Sequence, residues 1–146
     1  MRPWSCFRAL MTVSLSLALG MASGPALAQQ AGTFTLELNN LETVEAGCRL
    51  TFVAQNNTGI ELTRTSYDVA VFDGTGAVSD RLILEFGHLP ESKTRVVQFL
   101  LNRSCSDLSR LLLNEAEECL DAAGRDTPIC MTALRASSRS NVMFGS

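Results

Sequence analysis

The sequence has few of the residues on which enzyme chemistry usually depends. Its 146 residues include one histidine, His88, one tryptophan and one tyrosine. It contains no Gly-x-Ser-x-Gly motif, no Cys-x-x-Cys pair and no Asp-x-Asp-x-Asp-Gly loop. Those patterns are the local signatures of many serine hydrolases, zinc sites and calcium sites. We therefore expect no catalytic residue, no metal site and no cofactor.

The chain also lacks an apolar run of the roughly 20 residues that a comfortable membrane span needs. Arg2 and Arg8 accompany a shorter apolar run over residues 9–22, and a small-residue Ala-Leu-Ala sequence ends at position 28. This arrangement is typical of a secretory signal with a cleavage site. We predict a signal peptide over residues 1–28 and a single mature domain over residues 29–146. The alternative is an N-terminal anchor that stays uncleaved.

The charge of the predicted mature chain is mildly negative. All 15 acidic residues but only 10 of the 12 basic ones follow residue 28, which gives a net charge of −5. An acidic balance argues against binding to nucleic acid and against stable association with anionic membranes. With the signal removed, we expect a periplasmic or secreted protein without stable membrane insertion.

Four cysteines remain after the predicted cleavage: Cys48, Cys105, Cys119 and Cys130. An even number in an exported chain indicates two disulfides, for which three connectivities exist. We favour Cys48–Cys105 together with Cys119–Cys130. The competing interpretation is a metal site, which the wide spacing and the single histidine make the weaker one.

Alternation of apolar and polar residues predicts strands at roughly ten-residue spacing, separated by turn sequences. The runs lie at residues 33–41, 48–55, 62–72, 78–86 and 94–101. This pattern predicts an all-β fold, an immunoglobulin-like antiparallel β-sandwich of about seven strands. In such a sandwich the second and fifth strands are antiparallel neighbours. Cys48 at the start of one then lies near Cys105 after the other, which is the reason for pairing them.

The segment after Cys105 is ambiguous. Residues 107–123 fit either an amphipathic helix or a strand over 108–113 followed by an acidic loop; we choose the strand because the sandwich needs it. A short helix is predicted from Thr127-Pro128 to about Leu134, inside or beside the loop that the second disulfide closes. Weak alternation predicts a last strand near residues 140–144.

Turn chemistry within residues 50–99 carries a family resemblance. The motifs are Asn56-Asn57, then Phe72-Asp73-Gly74-Thr75-Gly76-Ala77-Val78, then Leu89-Pro90 before Val96, Val97 and Phe99. With them, this stretch resembles the extracytoplasmic immunoglobulin-like domains of the FxLYD type, and the cysteines resemble those of short exported bacterial proteins known only by their export signal. Both resemblances imply an extracytoplasmic sandwich, and neither supplies a catalytic residue.

A few polar residues are candidate site residues. His88 is the only available histidine base and lies in a loop that leaves a strand. Arg64 and Asp68 share a strand face and could form an exposed ion pair or a polar recognition surface. We expect a cluster of acids to form a solvated face rather than a calcium site: Glu115, Glu117, Glu118 and Asp121.

The sequence therefore favours a non-enzymatic exported module that binds another cell-envelope protein, because sandwiches without catalytic groups often present edges and loops to partners. The alternative is a small periplasmic hydrolase or ligand-binding protein that uses the region of His88.

Overall fold

The computed structural model describes residues 32–146, so the predicted signal peptide over residues 1–28 lies outside the described part of the chain. The described residues form eight strands and one short helix, with a single 3₁₀ turn at Cys105–Asp107. In chain order the elements are β1 (Thr33–Val44), β2 (Gly47–Asn57), β3 (Leu62–Phe72), β4 (Val78–Glu85), β5 (Lys93–Leu101), β6 (Arg110–Asp121), α1 (Ile129–Thr132), β7 (Leu134–Ser138) and β8 (Met143–Gly145).

The strands form two four-stranded sheets that pack face to face, in the orders β5-β2-β1-β7 and β4-β3-β6-β8. The runs β5-β2-β1 and β4-β3-β6 follow the neighbour relations of immunoglobulin-like sandwiches. The predicted all-β sandwich is confirmed. Two details are corrected: there are eight strands where about seven were predicted, and the sheets are mixed where antiparallel ones were predicted, because β7 runs parallel to β1 and β8 parallel to β6.

The core forms where the sequence alternates. The inward positions are fully buried from Phe34 to Leu38 on β1, from Cys48 to Ala54 on β2 and from Tyr67 to Val71 on β3, while the residues that alternate with them point outward. Phe52 on β2 lies at the centre, with its ring edge-to-face against Phe86, Phe99 and Phe144 at centroid distances of 5.6, 5.8 and 5.2 Å. Such aromatic contacts add to the stabilisation from burial itself.

The structure corrects the interpretation of residues 107–123. They form no helix, and the strand does not stop at residue 113, because β6 extends to Asp121 and pairs with β3 over most of its length. The pairing register shifts at three points. At two of them β6 carries an extra residue, Asn114 or Glu117, as in a β-bulge. These bulges break the period of two that identifies a strand. The residues after 113, which we predicted to form an acidic loop, are therefore the second half of a long strand.

The last elements also differ in detail. Helix α1 ends at Thr132 rather than near Leu134, and the chain then forms β7, which was not predicted. The predicted strand at residues 140–144 corresponds to the shorter β8.

Two disulfides join distant parts of the chain, in the two pairs that the sequence analysis favoured. The long-range disulfide, Cys48–Cys105, ties the start of β2 to the 3₁₀ turn after β5, with Cα atoms 4.8 Å apart. The short-range disulfide, Cys119–Cys130, ties β6 to α1, with Cα atoms 6.0 Å apart. Two disulfides indicate an oxidising, extracytoplasmic environment. Within residues 32–146, no helix combines the length and apolar character required to cross a bilayer.

Candidate functional site

The two open sides of the sandwich differ in how their sheet edges end. On one side the edge strands are β7 and β8, which have five and three residues. The segment between them is held by the Ser138 hydroxyl, which donates to the Val142 carbonyl at 2.6 Å. On the other side the edges are β4 and β5, with eight and nine residues. Among residues 32–146, each of these two strands pairs with one neighbour only, which leaves its outer backbone edge free within this part of the chain.

The free edges carry most of the exposed apolar surface. Six large hydrophobic side chains are exposed among the described residues, and four of them lie on these two strands: Val96 at 63%, Leu100 and Val78 at 55%, and Ile83 at 47%. Residues 96–101 of β5 include no charge, proline or glycine. Long, uncharged apolar edges are templates for pairing with another strand.

A cleft of about 310 Å³ opens between β4 and β5, where the two sheets part. This volume lies at the lower end of the range in which proteins bind ligands. Its polar end is formed by Arg103, whose Nη1 donates to Ser79 Oγ at 2.5 Å and whose Nη2 lies 3.8 Å from Asp80 Oδ2. Six of the nine residues that line the cleft are apolar, namely Leu82, Ile83, Leu84, Phe99, Leu100 and Leu101, and the polar ones lie at the end near Arg103.

The first half of β5 is positively charged. Neither Lys93 nor Arg95 has an acidic partner among residues 32–146. The Arg95 guanidinium donates to the backbone carbonyl of His88, which leaves its charge uncompensated. In register, Lys93 and Arg95 oppose Asn56 and Ala54 of β2, so they lie on the face of β5 that turns toward the cleft. The edge is therefore basic at one end and apolar at the other.

His88 forms a pair with an acid but has no nucleophile beside it. Its Nε2 lies 2.6 Å from Glu61 Oε1, and both side chains are about half exposed. Within the described residues, no serine, threonine or cysteine side chain hydrogen-bonds to this imidazole. A shallow depression of about 250 Å³ adjoins Glu61 and also contacts Asp121 and Arg125. This arrangement can orient an imidazole or a small polar ligand, but it lacks the attacking group of a triad.

Asn56 connects the turn after β2 to the loop that carries His88. The sequence placed this residue in a turn but did not predict the role of its side chain. Its side chain is fully buried, and its Nδ2 donates to the carbonyls of Ile60 at 2.8 Å and Leu89 at 2.9 Å. Its Oδ1 accepts from the Thr58 hydroxyl at 2.7 Å. The asparagine thus joins the turn after β2 to the loop that carries His88, and it holds the two loops together.

Arg64 and Asp68 share a strand face, as predicted, but they do not pair with each other. Arg64 lies 3.1 Å from Glu118, whereas Asp68 is bound by Arg81 and by Asn114, whose Nδ2 donates at 2.9 Å. Hydrogen bonding to Arg81, and then to Asn114, holds the pKa of Asp68 below its usual value. Asp68 is only 5% exposed, so it is part of a satisfied polar network on the outer sheet face.

The predicted acidic cluster is dispersed along β6. Glu118 pairs with Arg64, while Asp121 lies 2.8 Å from Arg125 and accepts backbone N–H groups in the following turn. These hydrogen bonds lower the pKa of Asp121. Across residues 32–146, no group of three or more histidine, cysteine, aspartate or glutamate side chains is arranged to hold a metal ion.

The chain matches no family model, no curated protein and no solved structure at a significant level.

Proposed function

We propose that the protein is a non-enzymatic, exported binding module whose free β5 edge takes up an extended segment of another cell-envelope protein. Export to the periplasm or medium follows from the predicted signal over residues 1–28 and agrees with the two disulfides. The observation that carries the binding function is the free, apolar edge at residues 96–101, which borders a cleft between the sheets. The resemblance of residues 50–99 to FxLYD-type domains implies an extracytoplasmic sandwich, which agrees with export but does not bear on binding.

Strand addition explains how such an edge would bind. The backbone of the partner segment would pair with the free N–H and C=O groups of β5, which supplies affinity without regard to sequence. Alternate side chains of the segment would enter the cleft beside Phe99 and Leu101. The others would cover Val96 and Leu100 on the outer face. The cleft would then select for large apolar side chains beside β5, because Phe99, Leu100 and Leu101 line it there.

The test is a pair of lysine substitutions on the edge. Val96→Lys with Leu100→Lys places two charges on the apolar half of β5, and both side chains are exposed, so the fold should persist. Met143→Lys is the matched control, because Met143 is also 63% exposed but lies on β8. Each mature protein is used to capture proteins from its own envelope fraction, with readout by mass spectrometry.

We expect one or more envelope proteins to be captured by the wild type and by the Met143 control, and at least about tenfold less by the edge variant. Equal capture by all three proteins would refute edge binding. Turnover of an ester, glycan or peptide substrate by the wild type would refute the non-enzymatic assignment.

The second candidate function is a small periplasmic hydrolase or ligand-binding protein, which the short His88–Glu61 contact favours. Replacing His88 by Ala and, separately, Glu61 by Gln tests it. An activity or a bound small molecule that both changes remove would support this candidate, whereas edge-dependent capture that both variants retain would argue against it.

A further inference from the structure

The charges on the free edge bear on the chemistry of its partner. Six of the arginines in the described chain lie within 4.0 Å of a carboxylate, but Lys93 and Arg95 do not. They are two residues apart on β5 and lie on the same strand face. No acidic residue occurs within β5 itself. This edge therefore presents two uncompensated positive charges, followed by six uncharged residues.

We infer that the segment bound by β5 carries acidic side chains beside Lys93 and Arg95 and large apolar side chains beside residues 96–101. This inference rests on the proposed function and specifies the partner. Charge complementarity across an interface selects partners and fixes their register. A purely apolar segment would provide no counter-charge for Lys93 and Arg95, and a basic segment would be repelled by them. An acidic and apolar segment satisfies both halves of the edge at once.

The dimensions define the length of this segment. Residues 96–101 span about 20 Å of extended chain, and all nine residues of β5 span about 30 Å. A partner segment of eight or nine residues therefore reaches from the two cations to the polar end of the cleft. Because Lys93 and Arg95 share a strand face, its two acids should also be two residues apart.

A second copy of this chain fits the edge less well. Antiparallel pairing of two β5 strands about Val97 would set Lys93 of each copy against Leu101 of the other, and Arg95 against Phe99. Both cations would then face the apolar half of the partner strand. A different protein with complementary charge is the better occupant.

The experiment uses labelled synthetic peptides and the mature protein. An acidic peptide has five apolar residues followed by two aspartates at alternate positions, and a second peptide has the reverse order, so that antiparallel and parallel addition are both covered. A basic peptide of each order has lysine in place of aspartate. Binding is followed by fluorescence anisotropy at low and high salt. We expect one acidic peptide to bind at least about tenfold more tightly than its basic counterpart, with the difference reduced by salt.

Charge reversal on the protein provides the decisive comparison. Lys93→Glu with Arg95→Glu should invert the preference, so that the basic peptide binds more tightly. The matched control is Arg135→Glu on β7, at the other edge of the same sheet, because Arg135 also has no acidic partner within residues 32–146. This control should leave the preference unchanged. A merely structural role for the two cations would weaken both peptides alike and would not invert the preference.

The failures of the two proposals are distinguishable. If acidic and basic peptides bind equally, or if reversal does not invert the preference, the inference about charge is overturned. The same holds if no peptide binds. In each of these cases the proposed function stands as long as Val96→Lys with Leu100→Lys still abolishes capture of an envelope protein. If that edge variant affects neither peptides nor capture, both proposals fail.

Discussion

Removing either of two hydroxyl groups on the same strand should change the free energy of unfolding, but in opposite directions. Tyr67 and Thr65 both lie on β3, face the core and are at most 1% exposed. The Tyr67 hydroxyl donates to the Cys130 carbonyl at 2.8 Å, whereas the Thr65 hydroxyl has no hydrogen-bond partner in the described part of the chain. Burial raises the pKa of Tyr67 far above its usual value, so the phenol stays protonated and remains a donor. The two variants to compare are Tyr67→Phe and Thr65→Val.

The expected magnitudes follow from what each change leaves behind. Tyr67→Phe keeps the ring, and with it the contacts to Phe34 and Phe86 at centroid distances of 6.4 and 5.9 Å. It removes the donor and leaves the Cys130 carbonyl buried without that bond, which costs about 1–3 kcal/mol of unfolding free energy. Thr65→Val replaces an unsatisfied hydroxyl by a methyl group and should stabilise the fold by about 1 kcal/mol. The two variants should thus differ by at least about 2 kcal/mol.

The assay is urea unfolding of the oxidised mature protein, followed by circular dichroism and by tyrosine-independent probes such as proteolysis. A change of 1 kcal/mol shifts the midpoint by roughly 0.5 M for a domain of this size. Retained disulfides must be verified by mass spectrometry in both variants. If Thr65→Val were as destabilising as Tyr67→Phe, the assignment of satisfied and unsatisfied hydroxyls, and the packing of β3 against α1, would be wrong.

Further substitutions test the disulfides, the polar network and the first hairpin. Replacing both cysteines of the long-range disulfide, which spans 57 residues, by alanine should lower the unfolding free energy by about 4 kcal/mol through loop entropy. Removing the short-range disulfide, which spans 11 residues, should lower it by about 3 kcal/mol, so the first variant should be the less stable of the two. Asp68→Asn should lower stability at pH 7, because the charged carboxylate is bound by Arg81. Since the folded-state pKa of Asp68 is lowered, its contribution is present above about pH 4 and is lost as the pH falls through the folded value. The acid limb of the pH–stability curve should therefore be shallower in this variant. Gly47→Ala should lower the free energy of unfolding by more than about 2 kcal/mol. The φ of +134° disfavours a side chain, and a Cβ would lie 2.0 Å from the Leu101 carbonyl oxygen. Thermal unfolding of the variant measures this loss.

Strict alternation made the first two strands the most predictable. In β1 and β2 the inward positions are apolar without exception from Phe34 to Leu38 and from Cys48 to Ala54, and all are buried. Regular antiparallel pairing keeps that period of two intact over each run. The placement of Cys48 near Cys105 followed from the same regularity, because β2 and β5 are neighbours.

The later strands could not be predicted in the same way, for physical reasons. The bulges at Asn114 and Glu117 shift the faces of β6 twice, so its acidic half shows no alternation although it is paired to β3. Strands β7 and β8 are short, and their parallel partners, β1 and β6, are distant in sequence. Their structure depends on tertiary pairing and not on local pattern.

The candidate site was only partly accessible from sequence. An apolar run such as residues 96–101 has the same composition whether its outer edge is paired or free, and strand order decides between the two. Strand order also determines that Arg81 binds Asp68, since the two residues approach only when β4 pairs with β3. The general expectation of an edge that binds a partner was available from the sequence, but the identity of the edge was not.

The two cations on β5 should also limit self-association. Charged residues on an exposed edge are a common device against unwanted strand pairing, and Lys93 and Arg95 supply the only charges on this one. Their replacement by serine would leave a free edge of nine uncharged residues. We expect this variant to associate at micromolar concentration, as measured by light scattering and thioflavin binding, while the wild type does not.

The glutamate variant separates this protective role from partner recognition. Edge protection requires charge of either sign, because like charges on approaching copies repel. Lys93→Glu with Arg95→Glu should therefore stay as dispersed as the wild type while its peptide preference inverts. Association of the glutamate variant to the level of the serine variant would contradict the protective role. Dispersed protein with an inverted preference would show that the edge needs charge for solubility and positive charge for its partner.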